Sequence, residues 1–125
     1  MEALNNLARL APNVLTVFGR VRQALPAGAS VTLTQQSGDV DTDQSQVTVT
    51  RNSAGNYTIT INNAMVTGTT NAIALASIST TAIGFWIRTE EPTVSSNALS
   101  FVVETGTANV ADCSFNFMVS AYTPL

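Results

Sequence analysis

The sequence predicts an all-β fold, an antiparallel β-sandwich or barrel, preceded by a short N-terminal segment of different character. From about residue 30 to the end, apolar and polar residues alternate with a period of two, which is the spacing of half-buried strands. These stretches recur at regular intervals between turns rich in Gly, Asn and Ser, as in sandwiches and barrels. Threonine, which favours strands, is abundant, and no helix of useful length fits between the strands.

Residues 1–28 are predicted to be an attachment or oligomerisation segment, and residues 29–125 the sandwich. The segment's apolar residues follow alternating steps of three and four, as in a coiled-coil seam, but Pro12 interrupts a continuous helix. Two short helices and an extended arm with a strand at "NVLTVF" both remain open, as does a helix that only covers the end of its own domain. The residues expected to dock on a partner or to associate as helices are Leu4, Leu7, Val14, Phe18 and Val21.

The alternation then marks each strand in turn. "ASVTLTQQ" places Val31 and Leu33 on one face, and "QVTVTRNSAGNYTITINN" predicts a hairpin that turns at "NSAGN". "NAIALASIST" carries Ile73, Leu75 and Ile78 as its large apolar residues. The residues expected to face the core in the remaining strands are Ile83, Phe85 and Ile87, then Leu99, Phe101 and Val103, and finally Cys113, Phe115, Phe117, Val119 and Ala121.

Composition and charge exclude several classes of partner. Charged residues make up 10% of the chain, the five cations are all Arg, and the net charge is −3. Such a chain cannot form the basic surface that nucleic acids require. No stretch approaches the roughly 20 apolar residues of a membrane helix, and the N-terminus lacks the features of a signal peptide. We therefore expect synthesis in a cytoplasm, with no nucleic-acid or membrane partner.

Catalysis is also disfavoured, because the chain contains no His, the commonest general base. The acidic residues lie mainly in predicted turns, with Glu104 the exception to consider, and there is no glycine-rich phosphate loop. Cys113 lies on the apolar side of its strand, where a free Cys behaves as a small buried hydrophobe. We expect a protein that is not an enzyme and that has no cofactor.

The stretch "GDVDTDQ" resembles a metal-binding loop, because Asp39, Asp41 and Asp43 alternate along it. A calcium-binding EF-hand would need Gly at the sixth position and Glu at the twelfth, where this chain has Gln44 and Thr50. A solvated loop is favoured, and a cation shared with a symmetry-related copy remains the alternative.

Several strands carry large side chains on the face that points away from the predicted core. Trp86 is out of phase with its apolar neighbours, with Arg88 on the same side, and Met118 and Tyr122 occupy the second face of the last strand. Such side chains indicate that another layer covers the sheet, and these residue types are enriched in interfaces. Trp86, Arg88, Met118 and Tyr122 are thus predicted to contact a neighbouring subunit; covering by the N-terminal segment of the same chain is the alternative.

Three stretches together resemble a known family: "GNYTITI" (55–61), "GFWIRT" (84–89) and "DCSFNFMVSAY" (112–122). They are similar to strands of the compact trimeric jelly rolls of the complement-head and tumour-necrosis-factor type. They look even more like the small relatives of that family on bacteriophage particles. The resemblance implies that the β-sandwich is jelly-roll-like. It also implies a homotrimer whose closing strands line the threefold axis or the subunit interface, with an N-terminal segment that anchors it to a capsid or stalk.

The resemblance also implies a function. We expect a structural virion protein, a capsid decoration (cement) or head-fibre protein, that binds the major capsid protein on the outer surface of the virion. The alternative is the receptor- or glycan-binding tip domain of a phage tail fibre, although the predicted loops offer almost no exposed aromatic residues for it.

Overall fold

The computed structural model describes residues 13–23, 31–38, 46–80 and 83–124, and within these ranges all regular elements are β-strands. The strands are β1 (Val14–Gln23), β2 (Val31–Gly38), β3 (Val47–Ser53), β4 (Asn56–Asn62), β5 (Asn71–Ile78), β6 (Trp86–Thr89), β7 (Thr93–Ser95), β8 (Ala98–Gly106) and β9 (Phe115–Tyr122). Every pair of neighbouring strands is antiparallel. The all-β prediction is confirmed for the described part of the chain.

The strands form two sheets. Sheet 1 has the order β2-β1-β9-β5, and sheet 2 has the order β3-β4-β8-β6, with β7 also paired to β8. Strands β6 and β7 follow one another along the same edge of β8, because β6 pairs with residues 103–106 and β7 with residues 98–100. Pro92, which has no amide hydrogen to donate, lies in the gap between them.

One hydrophobic core lies between the two sheets, as expected for a β-sandwich. Phe115 and Phe117 of β9 alternate with outward residues, and both are buried, as predicted. Their rings contact aromatic rings of sheet 2: Tyr57 and Phe115 have ring centroids 5.2 Å apart, and Phe101 and Phe117 5.8 Å apart. The other residues predicted to face the core in β8 and β9, together with Cys113, are also buried.

Strand β1 differs from the prediction of a separate N-terminal segment ending at residue 28. It pairs with β9 over residues 14–21 and with β2 over residues 17–23, so residues 14–23 lie inside sheet 1. For residues 14–23, the predicted alternative of an extended strand is therefore correct, and the helical alternatives are wrong. Steps of three and four cannot keep residues on one face of a strand, whose period is two. Phe18 consequently faces outward, whereas Val21 is 1% exposed in the core of its own chain and cannot dock.

Strand β5 is oriented with its small residues inward. Ala72, Ala74 and Ala76 contact the core, while Ile73 and Leu75 are exposed on the other side. On the core face, Phe117 of β9 has Ala76 of β5 as its register partner on one side and Gly19 of β1 on the other. The Phe117 ring lies over Gly19, where a Cβ atom would meet it.

The inward orientation predicted for the stretch before β6 is wrong at Ile83. This residue lies outside the strand and is 95% exposed, while Phe85 and Ile87 are partly buried. Strand β6 begins only at Trp86, so the period-two alternation does not extend back to Ile83.

Replacement of Gly19 by Ala tests this packing. A Cβ atom at Gly19 would overlap the ring of Phe117, and overpacking of this kind costs about 1–3 kcal/mol. We expect Gly19→Ala to lower the free energy of unfolding by that amount in urea denaturation. Gly68→Ala is the matched control, because a Cβ atom there has no neighbour within 4 Å, and it should leave stability nearly unchanged. Equal stability of the two variants would contradict the packing described.

Candidate assembly surface

The outer face of sheet 1 carries large apolar side chains in register across three strands. Phe18 of β1 lies opposite Met118 of β9, and Met118 lies opposite Leu75 of β5. Ile73 and Tyr122 lie further along the same face of β5 and β9. Side chains directly opposite one another on adjacent strands are about 5 Å apart at Cβ, so these residues form a continuous surface. We call Phe18, Ile73, Leu75, Met118 and Tyr122 the exposed apolar face.

This surface is accessible to solvent in the single chain. Ile73 is 69% exposed, Leu75 55%, Tyr122 48% and Phe18 43%, and Met118 is partly buried between them. Isolated exposed apolar residues are normal on proteins, but contiguous ones mark an interaction site. The exposed apolar face is therefore a candidate interaction surface.

Polar residues border the exposed apolar face. Arg20 lies at the border and donates a hydrogen bond from Nε to Oδ1 of Asn116 at 3.0 Å. Ser120 of the central strand is a small polar residue within the face, opposite Ile73 on one side and Thr16 on the other. Arg22 follows at the exposed end of β1. The described outward positions of β1, β5 and β9 include no acidic residue. An apolar centre with a polar, cationic border is the usual anatomy of a protein–protein interface.

A second apolar surface lies at one edge of sheet 2. Trp86 and Val110 both pair with Gly106, one on each side, so their side chains lie on the same face of the sheet. The indole of Trp86 covers Gly106, and its Nε1 donates a hydrogen bond to the carbonyl oxygen of Thr107 at 2.6 Å. We call Trp86 and Val110 the β6 patch; Val110 is 51% and Trp86 37% exposed.

The four residues predicted to contact a neighbouring subunit do not share one surface. Met118 and Tyr122 belong to the exposed apolar face of sheet 1. Trp86 and Arg88 lie on the outer side of sheet 2, where Nη2 of Arg88 contacts Oε1 of Glu104 at 3.0 Å. The prediction that all four point away from the core is compatible with these positions, and contact with a neighbour remains a prediction.

The remaining predicted positions are distributed differently. Val14 is partly buried at the start of β1. Leu4, Leu7 and the loop with Asp39, Asp41 and Asp43 lie outside the described residues. Sequence reasoning did not assign Ile73 and Leu75 to the outer surface. The available signal was the run of alanines at alternate positions in the same stretch, which marks the side that packs against bulky core residues.

A buried carboxylate organises the end of the sandwich where β9 begins. Asp112 accepts hydrogen bonds from Nε and Nη2 of Arg51 at 3.0 and 2.9 Å, and from the backbone amide of Gly55 at 2.9 Å. It also accepts one from the hydroxyl of Tyr57 at 2.6 Å. The Asp112 side chain is 4% exposed. These bonds join the β3–β4 hairpin to the segment that leads into β9.

The surroundings of Asp112 set its charge state. Burial raises the pKa of the carboxyl group, but the hydrogen bonds from Arg51, Gly55 and Tyr57 together outweigh it and lower the pKa to about 2. Burial, and then the bond to Asp112, raise the pKa of Tyr57 above its ordinary value. A carboxylate with four donors and so low a pKa is a structural anion and a poor general base.

Among the described residues, no group of three His, Cys, Asp or Glu side chains is placed to hold a metal ion. None of the described segments forms a helix that is long and apolar enough to cross a membrane. Comparison of the chain with protein-family models, with curated proteins and with solved structures gave no match.

The stability of the protein should depend on the ionisation of Asp112. The pKa of Asp112 in the folded state is about 2, below the ordinary value of 3.8. The stabilisation that the charged carboxylate provides is therefore complete above about pH 4 and is lost as the pH falls through 2. The difference corresponds to about 2 kcal/mol. We expect urea denaturation to show this decrease between pH 4 and pH 2, and Asp112→Asn to remove it and to lower stability at pH 7.

Glu104→Gln is the control for this experiment, because the partner Arg88 is 64% exposed and a pair of this kind contributes less than about 1 kcal/mol. If the Asp112→Asn and Glu104→Gln variants had the same free energy of unfolding at pH 7, the structural role assigned to Asp112 would be wrong.

Proposed function

We propose that this chain is a structural assembly protein that forms homotrimers and binds the outer surface of a viral capsid, as a decoration (cement) or head-fibre protein. The exposed apolar face carries the assembly part of this proposal. The capsid part, and the jelly-roll type of sandwich, rest on the resemblance of residues 55–61, 84–89 and 112–122 to the trimeric phage domains.

Burial of the exposed apolar face against another copy would stabilise an oligomer. Each square ångström of apolar surface removed from water contributes about 25 cal/mol, and a stable interface removes about 800 Å² per partner. The face carries five large side chains, and no carboxylate would be desolvated at its described outward positions. The low charge of the chain favours self-association further, since copies with a net charge of −3 repel one another only weakly.

The position of β9 supports the trimer. The family resemblance implies that the closing strand lies at the subunit interface, and β9 contributes Met118 and Tyr122 to the exposed apolar face. Strand β9 lies between β1 and β5, so a neighbour on this face would contact three strands at once.

Attachment to the capsid is proposed to involve the chain before β1. Because residues 14–23 belong to the sandwich, the attachment segment ends before Val14 and contains Leu4 and Leu7. Three such segments on one trimer would bind a lattice with increased avidity. A protein that binds the assembled lattice and not loose subunits stabilises the lattice by mass action.

The oligomeric state tests the assembly part. Light scattering should give a mass near three times 13.1 kDa for the natural chain, and Leu75→Arg should reduce it to that of a monomer, because a charge would be buried in the interface. Thr48→Arg, which introduces the same charge on the exposed outer side of sheet 2, is the control and should remain trimeric. A natural chain that is monomeric at micromolar concentration would refute the proposal.

Removal of residues 1–12 tests the capsid part. The shortened chain should keep its circular dichroism spectrum, because the two hydrogen bonds between Asn13 and Thr123 and all of β1 remain. It should no longer sediment with purified capsids of its virus, whereas the full chain should. Attachment by both forms would place the docking site on the sandwich. Binding of the full chain to a glycan array without capsid binding would favour the fibre-tip alternative.

A further inference from the structure

We propose that one end of the sandwich lies against the capsid and contacts it through the loop of residues 63–70 and the turn of residues 96–97. We call this end, which also contains Asn13 and Thr123, the proximal end. The inference rests on the proposed attachment through the residues before β1. It adds to that attachment a set of contact residues on the sandwich itself.

Hydrogen bonds join the start of β1 to the loop of residues 63–70. The backbone amide of Thr123 donates to the carbonyl oxygen of Asn13 at 3.0 Å, and Nδ2 of Asn13 donates to the carbonyl oxygen of Thr123 at 3.3 Å. The hydroxyl of Thr123 in turn donates to the carbonyl oxygen of Met65 at 2.9 Å and lies 2.8 Å from the hydroxyl of Thr70. The point where the attachment segment joins the sandwich is therefore fixed beside this loop.

The length of the attachment segment decides which end of the sandwich can reach the capsid. Leu7, the predicted docking residue nearest to β1 within that segment, precedes Asn13 by six residues, which span at most about 20 Å. Strand β9 runs from the end that contains Asp112 to the proximal end, and its eight residues span about 27 Å. With Leu7 bound to the capsid, the proximal end is within reach and the opposite end is not.

The loop of residues 63–70 is held in one shape before it binds. The amide of Thr67 donates to the hydroxyl of Thr70 at 2.9 Å, and the side chain of Val66 is 1% exposed. The amide of Asn97 donates to the carbonyl oxygen of Val66, and the amide of Asn63 donates to the carbonyl oxygen of Asn97, both at 2.9 Å. These bonds connect the loop to the turn of residues 96–97. A surface that is ordered in advance loses little conformational entropy on binding.

The residues that the loop and the turn expose fit an uncharged, hydrogen-bonding partner surface. Thr67, Gly68 and Thr69 are exposed on the loop, and Ser96 and Asn97 are exposed on the turn. Neither the loop nor the turn contains a charged residue. Burial of an unpaired charge is costly, and the centres of protein interfaces are depleted of charged residues. Hydroxyl, amide and backbone groups at the proximal end can therefore contact the capsid without desolvation of a charge from these two elements.

A bulky label at either end of the sandwich tests the inference. Gly68→Cys places a thiol at the proximal end, where a Cβ atom has no neighbour within 4 Å, so the variant should fold. Ala54→Cys, at the exposed tip of the β3–β4 hairpin, is the matched control at the opposite end. Each variant is coupled to a maleimide-linked polyethylene glycol chain; Cys113 is 5% exposed and should not react. Circular dichroism and light scattering would verify the fold and the trimeric mass.

We expect labelled Gly68→Cys to lose sedimentation with purified capsids of its virus. Labelled Ala54→Cys and both unlabelled variants should sediment with the capsids as the natural chain does. If labelled Gly68→Cys still sediments with capsids, or if labelled Ala54→Cys does not, the inference is wrong while the proposed capsid binding stands. A natural chain that fails to sediment with capsids would instead refute the proposed function, and this inference with it.

Discussion

The structure depends on the position of β9 between two partner strands. All eight residues of β9 pair with β5 on one side and with β1 on the other. Neither the register nor the orientation of β9 can therefore change without breaking both sets of strand pairs. The buried side of β9 then places Phe115 and Phe117 against Tyr57 and Phe101 of the other sheet. The same constraint places Met118 on the outer side, between Phe18 and Leu75. Core and exposed apolar face are thus two consequences of one set of strand pairings.

The Asp112 cluster complements this pairing at the end where β9 begins. Gly55 has a positive φ of 65°, and a side chain there would meet the backbone of Thr105 and Ala111. The hairpin tip can therefore approach closely enough for its amide to reach Asp112. The hydroxyl of Thr105 donates to the carbonyl oxygen of Ala111 at 2.6 Å, which holds the same segment from the other side. This closure fixes the chain just before Phe115 and so determines where the alternation of β9 starts.

Sequence reasoning predicted the parts of the fold that depend on local alternation. The β3–β4 hairpin, the inward residues of β8 and β9 and the burial of Cys113 all follow from a period of two within single strands. It did not predict β1 as part of the sandwich, because the spacing of its apolar residues also fits a helical seam and only the pairing with β9 decides between them. The orientation of β5, with its alanines inward and Ile73 and Leu75 outward, is a tertiary effect, because alternation within one strand does not decide which side faces the core. The candidate surface was predicted in part, through Met118 and Tyr122, and its largest contributors were missed for this reason.

The two outer faces of the same sandwich provide an internal comparison. On sheet 2, Thr48 pairs with Thr60 and Thr50 with Thr58, so the outer side of β3 and β4 is a surface of hydroxyl groups. Threonine satisfies the strand preference for branched side chains and still suits contact with water. On sheet 1 the corresponding central positions are Phe18, Met118, Leu75 and Ile73. Strand propensity cannot explain this difference, since both sheets have the same secondary structure and the same solvent. Because exposed apolar side chains gain nothing in a chain that remains alone, their concentration on one face of sheet 1 supports the proposal that further copies of the same chain cover it.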